Sequence, residues 1–208
     1  MSNRLLCASL ACLLIAVASA PTLATVSLAL SDGDATPTYA RIGAGGSVVL
    51  TVRLNATSEQ TTGLDYFLRA SGAGSSGLFS IGGRSLAGSA YPVPYFDDAT
   101  VTVPADALLD PDNNVDLGGS VPNVNVPVNA GNHLVANLTL NVSPSAPDGV
   151  YTIETFSMPG TGWIGAGPSF PEAPFNSHAT FTLEVPEPTS LGLLALAAST
   201  LIRRRQLH

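Results

Sequence analysis

The chain contains no lysine, and only 11% of its 208 residues are charged. Soluble domains average about 25%. Phosphate backbones are gripped by basic side chains, so nucleic acid is excluded as a partner. Over residues 25–185, four arginines (41, 53, 69, 84) stand against fourteen acids, a net charge of −10. That balance disfavours a polyanionic partner. Both cysteines, Cys7 and Cys12, lie in the first 24 residues. The rest of the chain therefore offers no disulfide, no thiolate metal site and no thiol nucleophile. Histidine is scarce, and His133, His178 and His208 are isolated in sequence without zinc spacing. No Gly-x-Ser-x-Gly elbow occurs. The glycine-rich stretch 72–77 lacks both the lysine and the spacing of a phosphate loop. A Ser-His-Asp triad or an opposed carboxylate pair would have to be gathered from dispersed residues.

Long apolar runs are missing too, and the two short ones lie at the ends. Arg4 precedes an apolar run over 5–17, followed by the small-residue exit Thr22-Leu23-Ala24. This pattern predicts a secretory signal peptide over 1–24 and a mature start at Thr25. At the other end, Pro186-Glu187-Pro188 precedes an apolar segment, 191–202, and then Arg203-Arg204-Arg205. The segment is expected to form a short apolar helix that serves as a transmembrane helix held by the basic triplet. Twelve residues rise only about 18 Å against a hydrocarbon core of about 30 Å, so it is short for that task.

Between the ends the pattern is that of strands. In 46–56, Val48, Leu50, Val52 and Leu54 alternate with Ser47, Thr51, Arg53 and Asn55, with Val49 on the polar side. In 133–142, Leu134, Ala136, Leu138, Leu140 and Val142 alternate with Asn137, Thr139 and Asn141. Residues 150–156 and 179–185 alternate likewise. Shorter candidates are 26–30, 38–42, 64–70, 77–81 and 99–104. Turn residues separate them, such as Ser31-Asp32-Gly33 and Ala146-Pro147-Asp148-Gly149. About nine strands without a helical period predict an all-β, antiparallel β-sandwich of jelly-roll type over 25–185.

Two features of the body carry candidate chemistry. Asp110, Asp112, Asn114 and Asp116 alternate in the irregular stretch 106–127. Oxygen ligands at such spacing wrap Ca²⁺ in EF-hand-like loops. Val115 replaces the glycine and Val121 the glutamate of that loop, so the alternative is a hydrated Asx-rich surface. Asp97, Asp98 or Asp106 would have to complete a calcium shell. The aromatic residues Tyr91, Tyr95 and Trp163 are candidates for contact with a glycan. Their alternative is to plug the end of the sandwich.

The tail resembles the PEP-CTERM sorting signal of exported bacterial proteins, through Pro186-Glu187-Pro188, the apolar segment and the arginine cluster in that order. The resemblance implies an exosortase-like processing enzyme acting near Pro186-Glu187-Pro188 and a transient association of the tail 186–208 with the membrane. More faintly, an early Val-x-Leu strand, the strand 46–55, the central Tyr95-Phe96-Asp97-Asp98 and the late Ala146-Pro147-Asp148-Gly149-Val150-Tyr151-Thr152-Ile153 resemble cohesin-like and carbohydrate-binding-module jelly rolls. That resemblance implies a nine-stranded sandwich that binds a protein module or a glycan. The expected function is a non-enzymatic, exported cell-surface or extracellular-matrix protein. The alternatives are a carbohydrate-binding module on exopolysaccharide and a secreted hydrolase.

Overall fold

The structure is a computed structural model that describes residues 25–33, 38–72, 75, 77–94, 106–108, 116–156 and 162–187. Every regular element among these residues is a strand: β1 (Val26–Asp32), β2 (Tyr39–Arg41), β3 (Ser47–Ala56), β4 (Thr61–Leu64), β5 (Phe67–Ser71), β6 (Phe79–Ser85), β7 (Val93–Pro94), β8 (Gly119–Ser120), β9 (Gly131–Val142), β10 (Gly149–Phe156), β11 (Trp163–Gly165), β12 (Glu172–Ala173) and β13 (Thr180–Val185). A first sheet has the order β1-β3-β9-β6 and a second the order β2-β13-β10-β5. A third sheet of short strands, β12-β11-β4-β8-β7, lies beside them. All pairings are antiparallel except that of β2 with β13. The fold is an all-β, jelly-roll-like sandwich, as the alternation predicts.

The alternation works because β-branched and aliphatic residues sit on one side of each long strand. On β3, Val48, Leu50, Val52, Leu54 and Ala56 are buried, while Val49 is 44% exposed on the outer face. On β9, Ala136, Leu138, Leu140 and Val142 meet them from the same sheet. From the second sheet, Ala70, Tyr151, Ile153, Phe181, Leu183 and Val185 close the core. Phe79 and Tyr151 meet edge-on with centroids 5.0 Å apart. Each fully buried Leu, Ile or Phe contributes about 1.5–3 kcal/mol, so apolar burial holds the sandwich together without cross-links.

Three details depart from the expected pattern. The alternation on β9 places Leu134 inward, yet Leu134 is half-buried and Val135 is fully buried. Val52 pairs with Ala136 and Arg53 with Leu134, so Val135 is the extra residue of a β-bulge. A bulge shifts the phase of a strand by one and frees backbone groups. Here those groups are satisfied: Ser89 Oγ donates to the Val135 carbonyl at 2.6 Å and the Ala90 amide to the Leu134 carbonyl at 2.9 Å. Secondly, the single strand expected over 64–70 is two strands, since β4 ends at Leu64 in the third sheet and β5 starts at Phe67 in the second. Asp65 and Tyr66 make the step between sheets. Thirdly, thirteen strands rather than nine occur among the described residues, because the irregular stretches supply two- and three-residue pairings. The candidate strand 99–104 lies outside the described residues.

The expected transmembrane helix is also corrected. No helix among the described residues is long and apolar enough to cross a membrane. The segment 191–202 lies outside those residues, and its twelve positions fall short of the roughly 20 that a spanning helix requires.

Phe181→Ala is expected to cost about 3–5 kcal/mol in urea unfolding, because a large ring leaves a fully buried site. Val150→Ala, at a position 66% exposed, is expected to change stability by no more than about 0.5 kcal/mol. Equal effects of the two would show that the core is not where the burial places it.

Candidate functional site

Of the alternating oxygen-bearing residues, Asp110, Asp112 and Asn114 lie outside the described residues. So do Asp97 and Asp98. Asp116 is 2% exposed, and its Oδ1 accepts the Gly118 amide at 2.7 Å. The Arg84 guanidinium donates to the carbonyls of Asp116 and Gly118. Asp65 is likewise buried, with its amide donating to the Gly162 carbonyl at 2.6 Å. Between them, Tyr66 is fully buried, and the Leu117 amide donates to its carbonyl at 3.0 Å. Burial pushes the Tyr66 phenol well above its ordinary pKa, with Arg84 opposing the rise and Asp116 adding to it. Only glycine fits at 118, where a Cβ would stand 2.2 Å from the Leu64 carbonyl oxygen. Asp116 thus ends the acidic ladder by turning inward, into a polar pocket at the step between β4 and β5. Among the described residues, no three of His, Cys, Asp and Glu gather to hold a metal ion.

The aromatic candidates separate. Tyr91 is fully buried, and its hydroxyl shares a 2.6 Å hydrogen bond with Thr61 Oγ1. Its pKa is pushed up to about 12 by burial, with the Thr61 bond acting the other way. Trp163, on β11 opposite Leu64 of β4, is half-buried against the core. Tyr95 lies outside the described residues. Tyr91 therefore offers no ring to solvent.

Pro186 and Glu187 follow β13 directly. They line an open groove of about 580 Å³ with Arg41, Asp148, Gly149, Val150 and Glu184. Within it, Arg41 Nε lies 3.2 Å from Glu184 Oε1, and the Tyr39 hydroxyl donates to Glu184 Oε2. Hydrogen bonding to that carboxylate raises the pKa of the Tyr39 phenol. Pro188 and Arg203, Arg204 and Arg205 lie outside the described residues.

A second groove, of about 480 Å³, joins residues that no sequence motif links. It is lined by Gln60, Val124, Asn125, Pro127, Ala166, Gly167, Pro168 and Phe170. Both of its walls hang on one stretch of backbone. The Thr61 and Val128 amides donate to each other's carbonyls at 3.0 and 2.8 Å, and the Ala166 amide donates to the Gln60 carbonyl at 3.0 Å. One wall turns at Asn123, whose Oδ1 accepts the Asn125 amide at 3.0 Å and whose carbonyl accepts the Val126 amide at 2.8 Å. The other is pinned by the Gly165 amide on the Pro171 carbonyl at 2.8 Å. Gln60 Nε2 donates to Asn129 Oδ1 at 2.8 Å. Phe170 is 40% exposed with φ 43°, the one non-glycine residue of positive φ among those described. The only hint in the sequence is an aromatic ring set among Gly167, Pro168 and Pro171.

The two large sheets are joined at the segment before β13. Asn176 exchanges hydrogen bonds with the Val26 amide (2.7 Å, to Oδ1) and the Val26 carbonyl (2.8 Å, from its amide). The Ala179 amide donates to Thr155 Oγ1 at 2.8 Å. His178 lies between, with Nδ1 3.5 Å from Thr155 Oγ1 and its ring edge-on to Phe175. Burial lowers the pKa of His178; the Glu154 carboxylate raises it and Arg69 lowers it further.

No family model matches the chain, and no curated protein does. Solved structures similar to it include CaCohA2 from Clostridium acetobutylicum in solution, with 13% identity, a TM-score of 0.49, and coverage of 78% of this chain and 91% of that one. A type I cohesin–dockerin complex from Clostridium thermocellum has 10% identity and a TM-score of 0.46, covering 77% and 99%. A non-cellulosomal cohesin from the archaeon Archaeoglobus fulgidus has 13% identity and a TM-score of 0.39, covering 77% and 90%.

Tyr91→Phe is expected to cost about 1–3 kcal/mol, because the Thr61 hydroxyl is left buried without its partner. Adding Thr61→Val is expected to recover part of that loss, and a further drop in the double variant would contradict the pairing. For His178 the folded state binds its proton less readily than the unfolded state, whose pKa is near 6.5. Its effect is therefore absent well above pH 6.5, and stability is lost as the pH falls through 6.5 towards the folded-state pKa. In urea melts between pH 7.5 and 5, His178→Asn is expected to show a shallower loss than wild type. An unchanged slope would remove the histidine as its source.

Proposed function

We propose that this protein is exported and non-enzymatic, and that it acts at the cell surface or in the extracellular matrix. Its β-sandwich is a binding module, and Pro186-Glu187-Pro188 is its processing site for an exosortase-like enzyme. The observation that carries this reading is the position of the first and last strands. β1 opens at Val26, one residue past the expected mature start, and β13 ends at Val185, one residue before the motif. The Thr25 amide still reaches Thr57 Oγ1 at 2.9 Å, so Thr25 is tied to the sandwich. The strands thus occupy the interval between the two expected processing points, and Glu187 stands exposed at the rim of a groove.

The test is expression in a host that carries an exosortase, followed by fractionation and sequencing of the mature ends. The exported protein is expected to begin at Thr25. Replacing Pro186, Glu187 and Pro188 by Ala is expected to leave the chain unprocessed in the envelope fraction. Processing that ignores the replacement would overturn the role of the motif. A body that stays in the cytoplasm would overturn export.

A further inference from the structure

We infer that the groove between the loop 123–128 and the turn 166–171 binds a neutral saccharide chain, stacked on Phe170 and hydrogen-bonded by Gln60 and Asn125. This rests on reading the body as a non-catalytic binding module, and it supplies the ligand class which that reading leaves open.

The lining decides the chemistry. It carries no ionisable side chain, but it does carry one aromatic ring, two carboxamides and the apolar groups of Val124, Pro127, Ala166 and Pro168. A charged ligand would lose hydration there without gaining a counter-charge. A body of net charge −10 further repels polyanions. A sugar ring has an apolar C–H face and a rim of hydroxyls that both donate and accept. The match is a flat ring for the face and carboxamides, each with two N–H donors and an oxygen acceptor, for the rim. The bond from Gln60 Nε2 to Asn129 Oδ1 orients the Gln60 carboxamide and leaves its oxygen and second N–H for a ligand.

Phe170 supplies the second argument. A bulky side chain at φ 43° stands in a left-handed backbone region that it adopts against its preference. Strain of this kind clusters at functional sites. Core packing does not explain it, since the ring remains 40% exposed. The strain displays an aromatic surface at the groove.

The third argument is rigidity. Because both walls are hydrogen-bonded to Gln60 and Thr61, the groove is held open before any ligand arrives. Its volume lies in the range of small-molecule sites. A pre-formed groove lowers the ordering cost of binding.

The experiment is affinity electrophoresis of the full chain through gels containing a neutral β-glucan, a galactomannan or a polyuronate, with melting temperatures measured in parallel. Wild type is expected to be retarded by at least one neutral polysaccharide and not by the polyuronate. Phe170→Gly is expected to abolish the retardation while melting at or above the wild-type temperature, since glycine accepts φ 43° without strain. Phe170→Tyr is expected to retain binding, and Gln60→Ala and Asn125→Ala to weaken it about tenfold. The inference is overturned if no neutral polysaccharide retards wild type, if Phe170→Gly still binds, or if Phe170→Gly lowers the melting temperature, which would make the ring a structural prop. Displacement of the groove's ligand by a charged peptide at equal concentration would likewise count against a saccharide. Export and processing are read by fractionation, so failure of that reading and failure of this one remain separable.

Discussion

The pairing of β3 with β9 is the constraint on which the rest of the molecule depends. Ten residues of β3 run against twelve of β9 at the centre of the first sheet, and the inward side of both strands is buried. With no disulfide and few charges, the body's stability rests on apolar area removed from water. The pair also sets what happens at its end. At Ala56 and Gly131 the two strands part, and a few residues further on their extensions meet again through Thr61 and Val128. Gln60, the floor of the neutral groove, lies at that second meeting. A change in register along β3 and β9 would move both walls of the groove.

The polar features of the interior are consequences of the same packing. The bulge at Val135 keeps a valine in the core at the cost of turning Leu134 outward, and Ser89 and Ala90 satisfy the carbonyls it leaves. The step at Asp65 and Tyr66 carries the chain from the third sheet to the second. It takes two polar side chains into the interior, where Arg84 and the turn at Asp116–Gly118 enclose them. Removing one member of such a group leaves the others desolvated, so groups of this kind are satisfied together or not at all. A continuous strand over 64–70 would have avoided the step but would not have filled both sheets.

The two grooves differ in the forces they offer. The one beside Pro186 and Glu187 is charged, with Arg41, Asp148 and Glu184 around it, and its electrostatics are weakened by salt because the groups are solvated. The one beside Phe170 has no charges, so shape, stacking and hydrogen bonds govern it. The two grooves are thus built from different elements and offer different chemistry.

The residues themselves determine the class of the fold. Val48, Leu50, Val52 and Leu54, and Leu138, Leu140 and Val142, alternate with polar neighbours, and a period of two admits only a half-buried strand. The absence of cysteine beyond residue 12 rules out a disulfide or a thiol nucleophile within residues 25–185 from composition alone. Pattern does not reach further, because it says which way a side chain points and not what it meets. Tyr91 reads either as a ring for a glycan or as packing, and its burial and its bond to Thr61 decide for packing. Asp116 reads as an outward ligand in an acidic ladder, but the Gly118 turn draws it inside. Gln60, Asn125 and Phe170 each lie more than forty residues from the next, and no local spacing joins them. Only the closure of Thr61 on Val128 and of Ala166 on Gln60 brings them together, because hydrogen bonds between distant strands are decided by the tertiary fold.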